Sequence, residues 1–144
     1  LDAHWPDEGP AVLSWGDARI GNVMYRDFEP VAVLDWEMAG LGPRELDLGW
    51  LVFAHMVFET IAGAMGLGGM PDFLRADDAA TTYEKLTGYA PRDLDFYLVY
   101  AAIQWGVVFT RTGTRQVHFG EIAMPDDIHE LMHHRDLFRQ LLER

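Results

Sequence analysis

Cysteine is absent from the 144 residues, so neither a disulfide framework nor a thiolate zinc site can form. That absence suits a reducing, cytoplasmic setting. Lysine is nearly absent too, Lys85 being the only one. Eleven Lys and Arg face 23 Asp and Glu, for a formal charge of −12. This argues against a nucleic-acid binder, because phosphate backbones need clustered cations. The acidic excess is compatible with a cationic small substrate, although acidic surfaces also serve solubility alone. No basic and apolar leader resembles a signal peptide; the chain opens Leu1-Asp2-Ala3-His4-Trp5-Pro6. The longest apolar stretch, 46–62, is broken by Asp47, His55 and Glu59 and lies at the short limit for a membrane span. It reads as a buried central helix, and no membrane association is expected. Glycine-rich phosphate loops are missing as well: Gly66-Leu67-Gly68-Gly69 fits neither G-x-G-x-x-G nor G-x-x-x-x-G-K-[ST].

What is present is an ordinary globular balance, 49% hydrophobic and 24% charged, enough for one compact domain. Residues 11–14 form a short apolar run that suits a buried strand feeding Trp15-Gly16-Asp17. Residues 23–26 and 31–34 are β-type runs separated by Asp27-Phe28-Glu29-Pro30, a hairpin with a four-residue connection. From Arg44 the pattern turns helical. Residues 46–62 are apolar nearly all round, 77–87 form a helix closed by Gly88, and Pro91 can open a third. A last amphipathic helix is expected from about Asp126 to the end. The expected fold class is α+β, mainly α, with one small β-hairpin.

The chemistry concentrates in Trp15-Gly16-Asp17-Ala18-Arg19-Ile20-Gly21-Asn22 and then Val33-Leu34-Asp35-Trp36-Glu37. Phosphoryl transfer needs a carboxylate to orient a hydroxyl and take its proton, and oxygen ligands to hold Mg²⁺ on the phosphates. An Asp followed five positions later by an Asn offers both from one loop, and a hairpin can return a second Asp to the same place. A lone D-x-x-x-x-N would say nothing, since Asp and Asn beside Gly are common turn residues and Asp35 could cap a helix.

Together these residues resemble the aminoglycoside-phosphotransferase and choline-kinase family, which reads H-G-D-x-x-x-x-N followed by a hydrophobic-Asp-Trp-Glu segment. The run Gly40-Leu41-Gly42-Pro43-Arg44-Glu45-Leu46-Asp47-Leu48 also looks like that family. The resemblance implies the C-terminal lobe of a protein-kinase-like fold, with ATP as co-substrate and Mg²⁺ as cofactor. It casts Asp17 as catalytic base, and Asn22 and Asp35 as Mg²⁺ ligands. Asp47 would hydrogen-bond the catalytic loop, and Arg19 would either touch phosphate or pair with a nearby carboxylate. Trp15 stands where the family has His and would have to supply the loop support. The family's acceptor site lies among the helices, with His55, Glu59, Trp105 and Arg111 as candidate lining. Residues 13–121 most resemble kinase-like domains associated with acyl-CoA dehydrogenases. A hydroxyacyl-CoA-type acceptor, or an amino sugar, is thereby implied, as is association with enzymes of acyl-CoA metabolism.

A complete enzyme of this type also has an N-terminal nucleotide lobe whose lysine anchors phosphates. Lys85 lies too far downstream to be that residue, so residues 1–144 read as a catalytic lobe whose nucleotide lobe is absent and which would be inactive alone. Two other readings stay open. Trp15 in place of His would suit a binding-only pseudokinase. His129-Glu130-Leu131-Met132-His133 spells H-E-x-x-H, which on a helix would set two His on one face for a zinc hydrolase, with His118 or His134 as a third ligand.

Overall fold

A computed structural model describes residues 2–7 and 9–143. After a 3₁₀ turn at Asp2–His4, the chain runs through β1 (Val12–Ser14), a 3₁₀ turn at Ile20–Asn22, β2 (Val23–Arg26), β3 (Glu29–Val33) and β4 (Gly40–Gly42). Helices α1 (Glu45–Ala64), α2 (Ala76–Thr87), α3 (Leu94–His118) and α4 (Arg135–Leu142) follow, with a 3₁₀ turn at Ile128–Leu131 before the last.

The core lies where α1 crosses α3. Phe53, Val52, Val57, Leu98 and Ala102 are at most 1% exposed, and Leu141 of α4 closes the cluster. The crossing is close because Gly49 lies against the backbone of Tyr97, where a Cβ would approach the Tyr97 carbonyl carbon to 3.0 Å. Glu45, 3% exposed, opens α1 and accepts from Tyr89 Oη (2.8 Å) and Arg92 N (3.0 Å). A buried carboxylate needs such partners, and here they tie the α2–α3 connection to the start of α1. By length and composition alone α1 could cross a membrane. The part of it through Val57 carries the residues buried in the core.

Several local expectations are met. The predicted buried helix is α1, and α2 ends at Gly88, whose φ of 73° and N–H to Glu84 O (2.7 Å) make a left-handed cap. Other details are corrected. The hairpin loop has two residues rather than four: Asp27 (φ 52°) and Phe28 (φ 66°) both adopt positive φ, the geometry of a tight primed turn. Pro30 therefore lies inside β3, beside the irregularity between Met24 and Tyr25, where a missing N–H is tolerated.

The strand at β1 is not buried throughout, since Leu13 is 65% exposed. It pairs antiparallel with β4, a strand the sequence reading did not anticipate, so two ribbons flank the loop. Helix α3 starts three residues after Pro91, because Glu45 captures the Arg92 N–H and Asp93 turns left-handed (φ 51°). The expected terminal helix is split. Asp127 Oδ1 accepts from His129 N (2.9 Å) and its Oδ2 from Arg135 Nη1 (2.8 Å), which tightens the 3₁₀ turn. Buried Leu131 and His134 then anchor the chain on either side of the break.

Candidate active site

β1 leads into the tight loop 15–22, and Asp47 in the first turn of α1 gathers its leading donors. Oδ1 accepts from Ser14 Oγ (2.9 Å) and Gly16 N (2.8 Å), while Oδ2 accepts from Trp15 N (2.7 Å). Bonds to an ionised acceptor are about twice as strong as neutral ones, so this one side chain fixes the loop entrance. Gly16 (φ 91°) is required there, because a Cβ would collide with the Met38 carbonyl.

The loop closes around Asp17. Its Oδ2 accepts from Arg19 Nε (3.0 Å) and Asn22 Nδ2 (2.6 Å), and its Oδ1 from Trp50 Nε1 (2.9 Å). Asn22 Nδ2 also donates to the Asp17 carbonyl (3.1 Å). Both neighbours of that nitrogen are acceptors, which settles the orientation of the amide and leaves Asn22 Oδ1 available. The Asp17 side chain keeps 15% exposure, enough to meet a ligand at the surface. Asn22 O accepts from Leu34 N (2.8 Å), which seats the β2–β3 hairpin directly on the loop.

The hairpin delivers Asp35 at a left-handed φ of 61°. Trp15 ties it in place: the indole Nε1 donates to Leu34 O (2.8 Å) and Asp35 O (3.2 Å), and the ring lies 6.1 Å from that of Trp36. Trp15 thus supports the loop as a donor. The Asp35 carboxylate is exposed and makes no hydrogen bond among the described residues. The available donors are therefore oxygens, Asn22 Oδ1 and the Asp35 carboxylate. That set fits Mg²⁺, which takes one or two protein oxygens and completes its shell with phosphates and water. Among the described residues no three His, Cys, Asp or Glu converge as a metal cluster.

The remaining candidates do not gather here. His55 Nε2 contacts Met70 O (3.1 Å), and Glu59 Oε1 accepts from Met70 N (2.8 Å), so both clamp the 66–71 turn. They line a cavity of about 490 Å³ with Phe73, Asp77 and Asp95. Trp105 packs between Trp50 (5.6 Å) and Phe109 (5.5 Å) in the core, and Arg111 lines a separate groove with Val107 and Met132. His129 and His133 are not one turn apart on an α-helix. The 3₁₀ turn stops at Leu131, and His133 packs on Phe109 at 5.2 Å. His134 is buried, its Nε2 2.8 Å from Ala102 O.

The model of the APH phosphotransferase enzyme family matches residues 1–96, well over half the sequence and including the whole loop. The chain belongs to that family. In fold, this phosphotransferase-family chain is similar to a crystal structure from Ralstonia eutropha JMP134, a protein provisionally assigned as an aminoglycoside phosphotransferase. The TM-score is 0.63 at 22% identity over 91% of this chain. The α+β, mainly helical, kinase-like architecture is shared. This chain spans 41% of the length of that structure.

Sequence reasoning missed Trp50 in this phosphotransferase-family chain. Its only signal was the spacing Asp47-x-x-Trp50, which puts two polar atoms near one face of α1 a helical turn apart.

Proposed function

We propose that the chain is the catalytic lobe of an ATP- and Mg²⁺-dependent small-molecule O-phosphotransferase, with Asp17 as the base. The observation that carries this is the lone-pair arithmetic at Asp17. A carboxylate offers about four acceptor sites. Two donors occupy Oδ2 and one occupies Oδ1, so one site on Oδ1 remains open. An acceptor hydroxyl can donate there. As its oxygen attacks the γ-phosphorus of ATP, the O–H proton passes to Oδ1 and the bond to the ADP oxygen breaks. Mg²⁺, when bound by Asn22 Oδ1 and Asp35, would neutralise charge on the phosphates. Arg19 keeps Asp17 oriented through its Nε, with its remaining guanidinium donors available to phosphate.

The acceptor in this proposal is a hydroxyacyl-CoA-type alcohol or an amino-sugar hydroxyl, as the resemblance implies. Nucleotide coverage would come from a lobe outside residues 1–144. Exposed Leu13, Leu41 and Val31 on the two ribbons, with Trp36 just beyond β3, support that as apolar surface suited to burial against it. The pseudokinase reading rests on Trp15 alone, and phosphoryl transfer by the longer enzyme would exclude it.

The test is phosphoryl transfer from Mg-ATP by the longer enzyme to 3-hydroxybutyryl-CoA, kanamycin and water. Asp17→Ala is expected to lower turnover by about 10²–10⁴-fold with nucleotide affinity unchanged. Undiminished turnover in that variant would sink the assignment.

A further inference from the structure

Helix α1 reaches the loop with two arms separated by one helical turn. The first, Asp47, takes the Ser14 hydroxyl and two backbone N–H groups, and so holds the loop's main chain. The second, Trp50, touches no loop backbone in this way. Its indole Nε1–H goes to Asp17 Oδ1 at 2.9 Å, the oxygen that keeps one acceptor site open. Trp50 is 6% exposed and its ring lies 5.6 Å from that of Trp105. The indole therefore cannot swing without disturbing the α1–α3 core, and the N–H direction is set by packing. By contrast, Arg19 and Asn22 grip Oδ2 from within the loop itself and would move with it.

We infer that Trp50 is the positioning residue for the catalytic carboxylate: its indole N–H occupies one acceptor site of Asp17 Oδ1 and aims the other at the substrate hydroxyl. The inference rests on Asp17 being the base. It adds that the base is registered to the helical core rather than to its own loop. A hydrogen bond from a neutral donor to a carboxylate, lost while ring packing survives, releases one carboxylate rotation and lowers the fraction of aligned encounters. Ground-state binding of Mg-ATP would not feel this, because the Trp50 indole N–H goes to Asp17 and not to Asn22 or Asp35.

Trp50→Phe, Asp17→Asn and the double variant of the longer enzyme form the test, with Mg-ATP and 3-hydroxybutyryl-CoA, kanamycin or water as acceptor. Trp50→Phe is expected to reduce kcat about tenfold, leaving KM for Mg-ATP within about twofold. In the Asp17→Asn background the same change is expected to alter kcat by less than about twofold, since the base that Trp50 would position is gone. An unchanged kcat in Trp50→Phe, or an equal loss in both backgrounds, overturns the inference while leaving Asp17 as base. If Asp17→Ala is fully active, both readings fall. A second measurement leaves Trp50 intact. In ¹⁵N-tryptophan-labelled enzyme, Asp17→Ala is expected to shift the Trp50 indole N–H upfield, and a stationary resonance refutes the contact.

Discussion

Asp47 and Asp35 both adjoin the loop 15–22 in space, yet they are built for opposite ends. Asp47 has three donors and an architectural role. Replacing it by Ala strands two backbone N–H groups and a hydroxyl, and should cost about 2–4 kcal/mol in urea unfolding along with all turnover. His134 makes a different prediction. Burial holds its pKa below the ordinary 6.5, opposed by the bond to Ala102 O and reinforced by nearby His133. The unfolded chain therefore takes up this proton near pH 6.5 while the folded one resists. Stability is complete above that value and declines as pH falls from it toward the lower folded pKa. Unfolding free energies at pH 7.5 and 5.5 should differ in this sense, and His134→Gln should shrink the difference. Asp127 is also lowered, chiefly by the His129 N–H, but its loss begins only below about 3.8.

At the scale of elements, the hairpin loop carries a testable inefficiency. Phe28 is 99% exposed and sits at φ 66°, where a Cβ is penalised and glycine is not. Phe28→Gly should stabilise the protein by about 1 kcal/mol, measured as a higher denaturant midpoint at unchanged slope. This loop also marks where the sequence became hard to read. Local signals sufficed for α1 and for α2 with its Gly88 cap, because apolar run and cap lie within a few residues of each other. A Phe at positive φ has no local signature, and it shifted β3 two residues earlier. The terminal helix failed for a tertiary reason, since its break follows from burying Leu131 and His134 rather than from any breaker residue. In the site the short-range set Trp15, Asp17, Arg19 and Asn22 was marked by the family motif that it resembles. Trp50, 33 positions from its partner, was not.

For the molecule as a whole, the two ribbons and the helical core divide the work. The core is closed by α1, α3 and α4, whereas the ribbons show Leu13 and Leu41 as exposed cross-strand partners. In the proposed reading a nucleotide lobe covers that side, so residues 1–144 alone should hydrolyse no ATP while the longer enzyme does. A comparison of phosphate release by the two proteins decides this. The same division bears on the metal site. Residue 35 is held through its carbonyl by the Trp15 indole, and the carboxylate beyond it makes no hydrogen bond or ion pair among the described residues. Asparagine tolerates the same left-handed backbone, so Asp35→Asn should leave the melting temperature within about a degree and still cut Mg-dependent turnover by about 10²-fold or more. Charge at this position can thus be edited independently of shape, which would let a silent, correctly folded lobe serve as a substrate trap.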